Sequence, residues 1–146
     1  MDATEDAVFS DWVLRQPPDV RGDPVWGLDC YRQSAFLITL ARPDAVRIAR
    51  DAARTGVASQ LLTSSTSIAA NVAEGCGRPT TPDRIRFFSY ALGSVRESLM
   101  WYEAAAGAIP EAHRLDRMAR LVRIRRMLFG LLKRMRSMTG RPCDRW

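Results

Sequence analysis

The sequence predicts an all-α protein built on four helices, and three observations carry that expectation. Ile85, Phe88, Leu92, Val95, Leu99, Tyr102 and Ala106 recur at alternating steps of three and four, the spacing of a left-handed helix-packing seam rather than a strand. Just before them, Gln60–Glu74 carries small residues (Ser64, Ser65, Ser67, Ala69, Ala70 and Ala73) where a helix usually carries large ones. That composition lets a second backbone approach closely, with Leu61, Ile68 and Val72 supplying the apolar grip. Glycine and proline are sparse inside these stretches and gather at their ends, as helices require. A chain of 146 residues suits one domain with a full core.

Taken in order, residues 1–23 form an acidic N-terminal extension interrupted by Gln16-Pro17-Pro18. It reads either as a disordered or loosely docked tail, or as a docking segment for a basic face, its own or a partner's, with Phe9, Trp12 and Leu14 as anchors. A bundle follows over residues 24–140. Asp23-Pro24 is a helix start, with a capping carboxylate and proline in the first turn. The first helix is expected to bury Leu28, Tyr31, Ala35 and Ile38, with Phe36, Leu37 and Leu40 widening the stripe, and to stop at Pro43. Residues 44–54 read as a helical connector in which Asp44, Arg47, Asp51 and Arg54 pair along one side. The second helix starts at Thr55-Gly56 and ends near Glu74, with Gly75 and Gly77 as the stop. Thr81-Pro82-Asp83 caps the third helix, Gly107 and Pro110 end it, and the fourth runs from Glu111 to about Met138. Residues 141–146 are a short C-terminal tail.

Charge is segregated along the chain. Residues 1–29 hold seven acids against Arg15 and Arg21, whereas residues 114–141 hold ten bases against Asp116 alone. On a helical wheel of the fourth helix, Met118, Leu121, Val122, Leu128, Phe129, Leu131, Leu132 and Met135 fill more than half the circumference. An isolated bundle needs a narrower stripe, so the surplus points to a second surface, most simply another subunit. The remaining arc carries a cationic ridge of Arg117, Arg120, Arg123, Arg126, Lys133 and Arg134 with almost no interleaved acid. A solvated charged face is one reading; a polyanion-binding surface is the other. Aromatic residues are few beside the ridge, so base stacking is expected to add little.

The sequence shows no catalytic set. His113 is the one histidine, at a helix start, and no Ser-His-acid set, metal-ligand spacing or glycine-rich phosphate loop occurs. Asn71 and Glu74 stand out among small neighbours. They are expected to be structural, Asn71 satisfying backbone near the turn and Glu74 reaching Arg86 or Arg96 on the next helix. No cofactor or metal is called for. No apolar run approaches the ~20 residues of a membrane span, and the acidic N-terminus lacks an export signal. Cys30, Cys76 and Cys143 have no paired spacing and read as reduced thiols, which places the protein in the cytoplasm.

The string SSTSIAANVAEGCGRPT followed by RIRFFSYALGSVRES resembles the signature of a bacterial four-helix-bundle family. That family includes proteins encoded in intervening sequences of 23S ribosomal RNA genes and the accessory variability determinant of diversity-generating retroelements. The likeness spans roughly residues 24–138, and its motif falls on Ser67, Ile68, Asn71, Glu74, Gly75, Ala91, Leu92, Gly93, Ser94 and Glu97. It implies an antiparallel up-down four-helix protomer, a homopentameric barrel and, in the retroelement branch, binding of nucleic acid and a reverse transcriptase. The motif positions look architectural, and no catalytic residue comes with them. The acidic extension, the preference for Arg over Lys and Cys76 depart from the pattern. The expectation is therefore a non-enzymatic oligomer binding RNA or DNA through phosphate contacts. The alternative is a protein–protein scaffold whose basic face holds an acidic polypeptide.

Overall fold

A computed structural model describes residues 3–138, with side chains from Ala7 onward. Its helices are α1 (Ala3–Leu14), α2 (Pro18–Gly22), α3 (Asp29–Ile48), α4 (Thr55–Gly77), α5 (Thr81–Ala104) and α6 (Glu111–Met138). Short 3₁₀ turns at Pro24–Gly27 and Ala52–Arg54 precede α3 and α4. Helices α3 to α6 pack in cyclic order, each against its chain neighbour and α6 back against α3, which is an up-down four-helix bundle. The core is one continuous cluster that includes Leu37, Ile48, Leu61, Ile68, Val72, Phe88, Val95, Tyr102, Leu121, Ile124 and Leu128. Residues 141–146 and Cys143 lie outside the described residues.

Several elements differ from the sequence expectation, each for a physical reason. Asp23 does cap a turn, its Oδ1 accepting from Val25 N at 2.8 Å, but that turn is the 3₁₀ piece and α3 begins at Asp29. Pro43 does not end α3, which runs through it to Ile48. Proline there forfeits one backbone hydrogen bond, and the burial of Asp44, Ala45 and Ile48 beyond it outweighs that loss. The buried stripe of α3 is also rotated. Cys30, Ser34, Leu37, Ala41, Asp44 and Ile48 face inward at steps of three and four, while Leu28, Tyr31, Ala35 and Ile38 are half-buried on the flank. Asp44 is consequently lost to the expected connector pairs, of which only Asp51–Arg54 forms, at 3.2 Å.

Gly75 lies inside α4, not at its stop. A Cβ there would come within 3.0 Å of Phe88 Cε1 and 3.1 Å of Phe87 Cβ, so glycine sets the α4–α5 separation near their shared end. Higher up, Ser98 Oγ donates to Ser64 Oγ at 2.9 Å, both side chains buried, where the small residues of α4 bring the helices together. The cap of α5 is Thr80, one residue earlier than expected, accepting from Asp83 N at 3.3 Å. Gly107 has φ 77°, the left-handed conformation that turns the chain out of α5 toward α6. Cys30 is buried and its thiol is pushed up to about 11 by that burial, which makes it an inert packing residue.

The N-terminal stretch forms a helix docked on the bundle. Phe9 meets the Phe36 ring edge-on at 5.4 Å, and Trp12 lies 5.3 Å from Phe36 and 5.8 Å from Trp26. Leu14, expected as a third anchor, is 69% exposed. Asp11 pairs with Arg15, just past the end of α1, rather than with a bundle arginine.

Candidate nucleic-acid interface

Helix α6 divides into an inward and an outward cationic set. Leu121, Ile124, Leu128 and Leu132 fall at steps of three and four and are fully buried, which fixes the orientation of everything else on the helix. Rotating outward from that stripe places Arg123, Arg126, Lys133 and Arg134 in solvent, with Arg125 and Arg136 half-buried on its margin. No acid follows Asp116 on α6, so its C-terminal half carries bases with no acid interleaved in the sequence.

Arg117 and Arg120 do not belong to the exposed row that the wheel suggested. Arg120 is 4% exposed, and its guanidinium lies 5.3 Å from the Phe36 ring centroid, on the ring that α1 also touches. Its Nε donates to both oxygens of Asp116 at 3.0 and 3.1 Å. Arg117 donates to Asp116 and, through Nε, to Asp44 Oδ2 at 3.0 Å. Tyr102 OH also donates to Asp44 Oδ2, at 3.3 Å. Two carboxylates thus balance two guanidiniums inside the bundle. Burial, then the Asp44 charge, drives the Tyr102 hydroxyl well above its ordinary value, so it stays a neutral donor. Burial works against the Asp116 carboxylate, but the hydrogen bonds from Arg117 and Arg120 win and hold its pKa below the usual range.

The network sits beside a cavity of about 320 Å³ lined by Val8 of α1, Phe36 and Leu40 of α3, and Ala112, His113, Asp116, Arg117 and Arg120 of α6. His113 is half-buried there, its Nδ1 3.4 Å from an Arg47 nitrogen. With both carboxylates committed to arginines, the cluster serves as an electrostatic clasp between α3, α5 and α6. Among the described residues, no group of His, Cys, Asp and Glu could hold a metal ion.

The motif residues lie on α4 and α5, with Ile68, Gly75, Ala91 and Leu92 buried and the others half-buried or exposed. Glu74 is exposed and pairs with Arg78 of its own helix end, not with Arg86 or Arg96. Asn71 Nδ2 donates to Ser67 O at 2.8 Å, one turn back rather than at the turn. Ser94 Oγ donates to Tyr90 O at 3.2 Å, and Glu97 accepts from Trp101 Nε1 at 3.4 Å. Gly93 is exposed with open space around it, so of the two motif glycines Gly75 is the one required by a close contact. The sequence reading missed Asp44 and Tyr102 because their partners are distant in the chain. It also left Arg125 and Arg136 unassigned, although both were countable as bases.

Comparison with known proteins places these features in a family. The model of the family described as 23S rRNA-intervening sequence protein matches residues 30–130. A crystal structure of a protein of unknown function from the S23 ribosomal protein family of Bacteroides thetaiotaomicron superposes with a TM-score of 0.67 at 20% identity. The match covers 71% of this chain and 98% of that one, and it shows a shared fold. No curated protein matches the chain.

Proposed function

We propose that this chain, which belongs to the 23S rRNA-intervening sequence protein family, is a non-enzymatic, oligomeric protein that binds RNA or DNA through phosphate contacts. The carrying observation is the outward row Arg123, Arg126, Lys133 and Arg134 on a helix with no acid after Asp116. Arginine forks onto phosphate oxygens, and a row of cations along a rigid helix follows a backbone without reading its sequence. Four such contacts would make log K fall with log salt at a slope of about −3 to −4. Charge reversal at Arg123 and Arg126 together should weaken RNA and DNA alike and flatten that slope by about two contacts. Equal binding by parent and variant at low salt would remove the ridge from the site.

Assembly is supported by exposed apolar groups at the end of the bundle where α5 stops and α6 starts. Met100 is 48% and Leu115 53% exposed there, away from the basic C-terminal half of α6. Light scattering that returned the 16.4 kDa monomer mass at micromolar concentration would overturn it. Pentamer stoichiometry and a reverse-transcriptase partner rest on family resemblance. The competing reading, a scaffold for an acidic polypeptide, is favoured by α1, which packs an acidic, aromatic helix on α3 of the same chain. A binding isotherm insensitive to salt would favour that scaffold.

A further inference from the structure

We infer that the cavity between the start of α3 and the C-terminal half of α6 takes one unpaired base of a bound strand, with its phosphate on Arg134 and an amino group of the base on Asp29. The inference rests on the phosphate-binding reading and adds to it a pocket, a strand preference and a base preference.

The cavity holds about 330 Å³, at the lower end of the ~300–1,000 Å³ of small-molecule pockets, room for a nucleotide and too little for a helix. Four of its residues, Met127, Gly130, Leu131 and Arg134, are spaced zero, three, four and seven along one face of α6. Leu28 lies across from them, and Leu28, Met127 and Leu131 are half-buried against the core. Aliphatic and thioether groups of this kind pack on a planar ring.

Nothing in the packing of the protomer calls for glycine at position 130. It sits in the interior of a 28-residue helix, where glycine is the poorest helix former after proline, and a Cβ there would meet nothing within 4 Å. Gly27, on the other side of the cavity, is equally open. What the missing side chains preserve is space. That space opens within the cationic row, because Arg126, Lys133 and Arg134 are each one turn from Gly130 and exposed.

The two sides of the cavity carry opposite charge. Arg134 lines the α6 side, and among the described residues its guanidinium has no ion pair. Asp29 lines the α3 side, where Arg32 holds its Oδ1 and leaves Oδ2 as an acceptor. A free phosphate gains at the first and is repelled at the second. A nucleotide suits both, with an apolar ring between its phosphate and its amino group. Cytosine, adenine and guanine carry an exocyclic amine that donates to a carboxylate, whereas uracil presents a carbonyl in place of the cytosine amine. An apolar amino acid has the same two charges but lacks the further phosphates that Arg126 and Lys133 attract. Bases in a duplex are paired and stacked, so the strand is single.

The test is fluorescence anisotropy of the full chain with labelled oligocytidylate, oligouridylate and an RNA duplex of one length. The parent should bind oligocytidylate about fivefold more tightly than oligouridylate. Gly130→Leu fills the open space with a better helix former, so the fold is kept. It should weaken oligocytidylate binding about tenfold and leave duplex binding within about twofold. Gly130→Ala adds a methyl group in open space and should bind all three probes as the parent does. Asp29→Asn, which can donate to a carbonyl as well as accept, should bring the two single strands within about twofold of each other. The base pocket would be overturned if the parent did not separate the single strands, or if Gly130→Leu weakened single strand and duplex equally or weakened neither. A changed mass of Gly130→Leu in light scattering would make the cavity a subunit contact, and calorimetric binding of free leucine, lost in Gly130→Leu, would give it to an amino acid; either overturns the base pocket. In all these cases the phosphate row would stand. If the parent bound none of the three probes, the phosphate-binding reading would fall and this inference with it.

Discussion

Removing the carboxylate of Asp44 should destabilise the bundle more than any other single loss of a polar group. The residue is 1% exposed, and its Oδ2 accepts from both Arg117 Nε and Tyr102 OH. In Asp44→Ala the four-charge clasp keeps both guanidiniums and only the Asp116 carboxylate, leaving an excess buried cation. Breaking one partner out of a buried ion pair costs about 3–5 kcal/mol, and the Tyr102 hydroxyl loses its acceptor as well. The two losses share a partner and are not additive, so about 4 kcal/mol is expected, against a total of ~5–15 kcal/mol for a domain. Urea unfolding followed by far-ultraviolet circular dichroism, at one fixed protomer concentration, measures it. Replacing the whole clasp edge with apolar groups (Asp44→Leu, Arg117→Met and Tyr102→Phe together) should recover most of the loss, because no charge then remains unmatched there. Acid acts on the same clasp. The folded-state pKa of Asp116 is depressed below its ordinary 3.8, so its stabilisation is present above that value and is lost as pH falls through the folded pKa. The parent should therefore lose urea resistance below about pH 4. An Asp44→Ala protein within about 1 kcal/mol of the parent would refute the clasp as a stabilising element.

Two further outcomes follow from the packing. Gly75→Ala puts a methyl group 3.0 Å from the Phe88 ring, and with Phe87 Cβ equally near it should cost about 1–3 kcal/mol in the same urea assay; a neutral result would mean that α4 and α5 can separate freely at this end. Deleting residues 1–22 removes α1 and its aromatic contacts with Phe36 and Trp26, and it should raise nucleic-acid affinity at low salt more than at high salt. Trp12 fluorescence should be blue-shifted in the free full-length protein; unchanged affinity together with a water-exposed Trp12 spectrum would show that the extension does not compete with nucleic acid for the basic surface.

The fold was legible wherever apolar spacing and chain punctuation agreed. The boundaries near Glu111 and after Ala104 follow from Gly107 and Pro110, and the inward positions Phe88, Leu92, Val95 and Tyr102 from a regular three–four rhythm. Legibility failed where a tertiary contact overrode a local rule. Pro43 reads as a stop because the return on continuing the helix, an inward Asp44 and Ile48, depends on α5 and α6. Gly75 reads as a C-cap because the Phe87–Phe88 wall that demands it lies on the next helix. The aromatic docking of α1 was foreseeable at Phe9 and Trp12, whose partners are Trp26 of the 3₁₀ turn and Phe36 of α3, both buried.

The cationic site was half legible, and the missing half explains the rest. On a wheel Arg120 and Arg123 differ only by three positions, and within α6 the mark of the clasp is Asp116, four residues before Arg120. Its other carboxylate, Asp44, lies 73 residues before Arg117 and is invisible from the helix alone. Two arginines neutralised inside the bundle reinforce the roll that the buried Leu121–Leu132 stripe gives α6, and that roll turns Arg123, Arg126, Lys133 and Arg134 outward together. The clasp and the ridge are therefore coupled through one rigid helix. Loosening the clasp should blur the ridge even though no phosphate touches Asp44. A destabilised but still folded Asp44→Asn protein, with every ridge residue present, should bind nucleic acid with a shallower salt slope than the parent, because fewer cations present themselves to one backbone at once. An unaltered slope in that variant would show that the outward row holds its alignment without the buried charges.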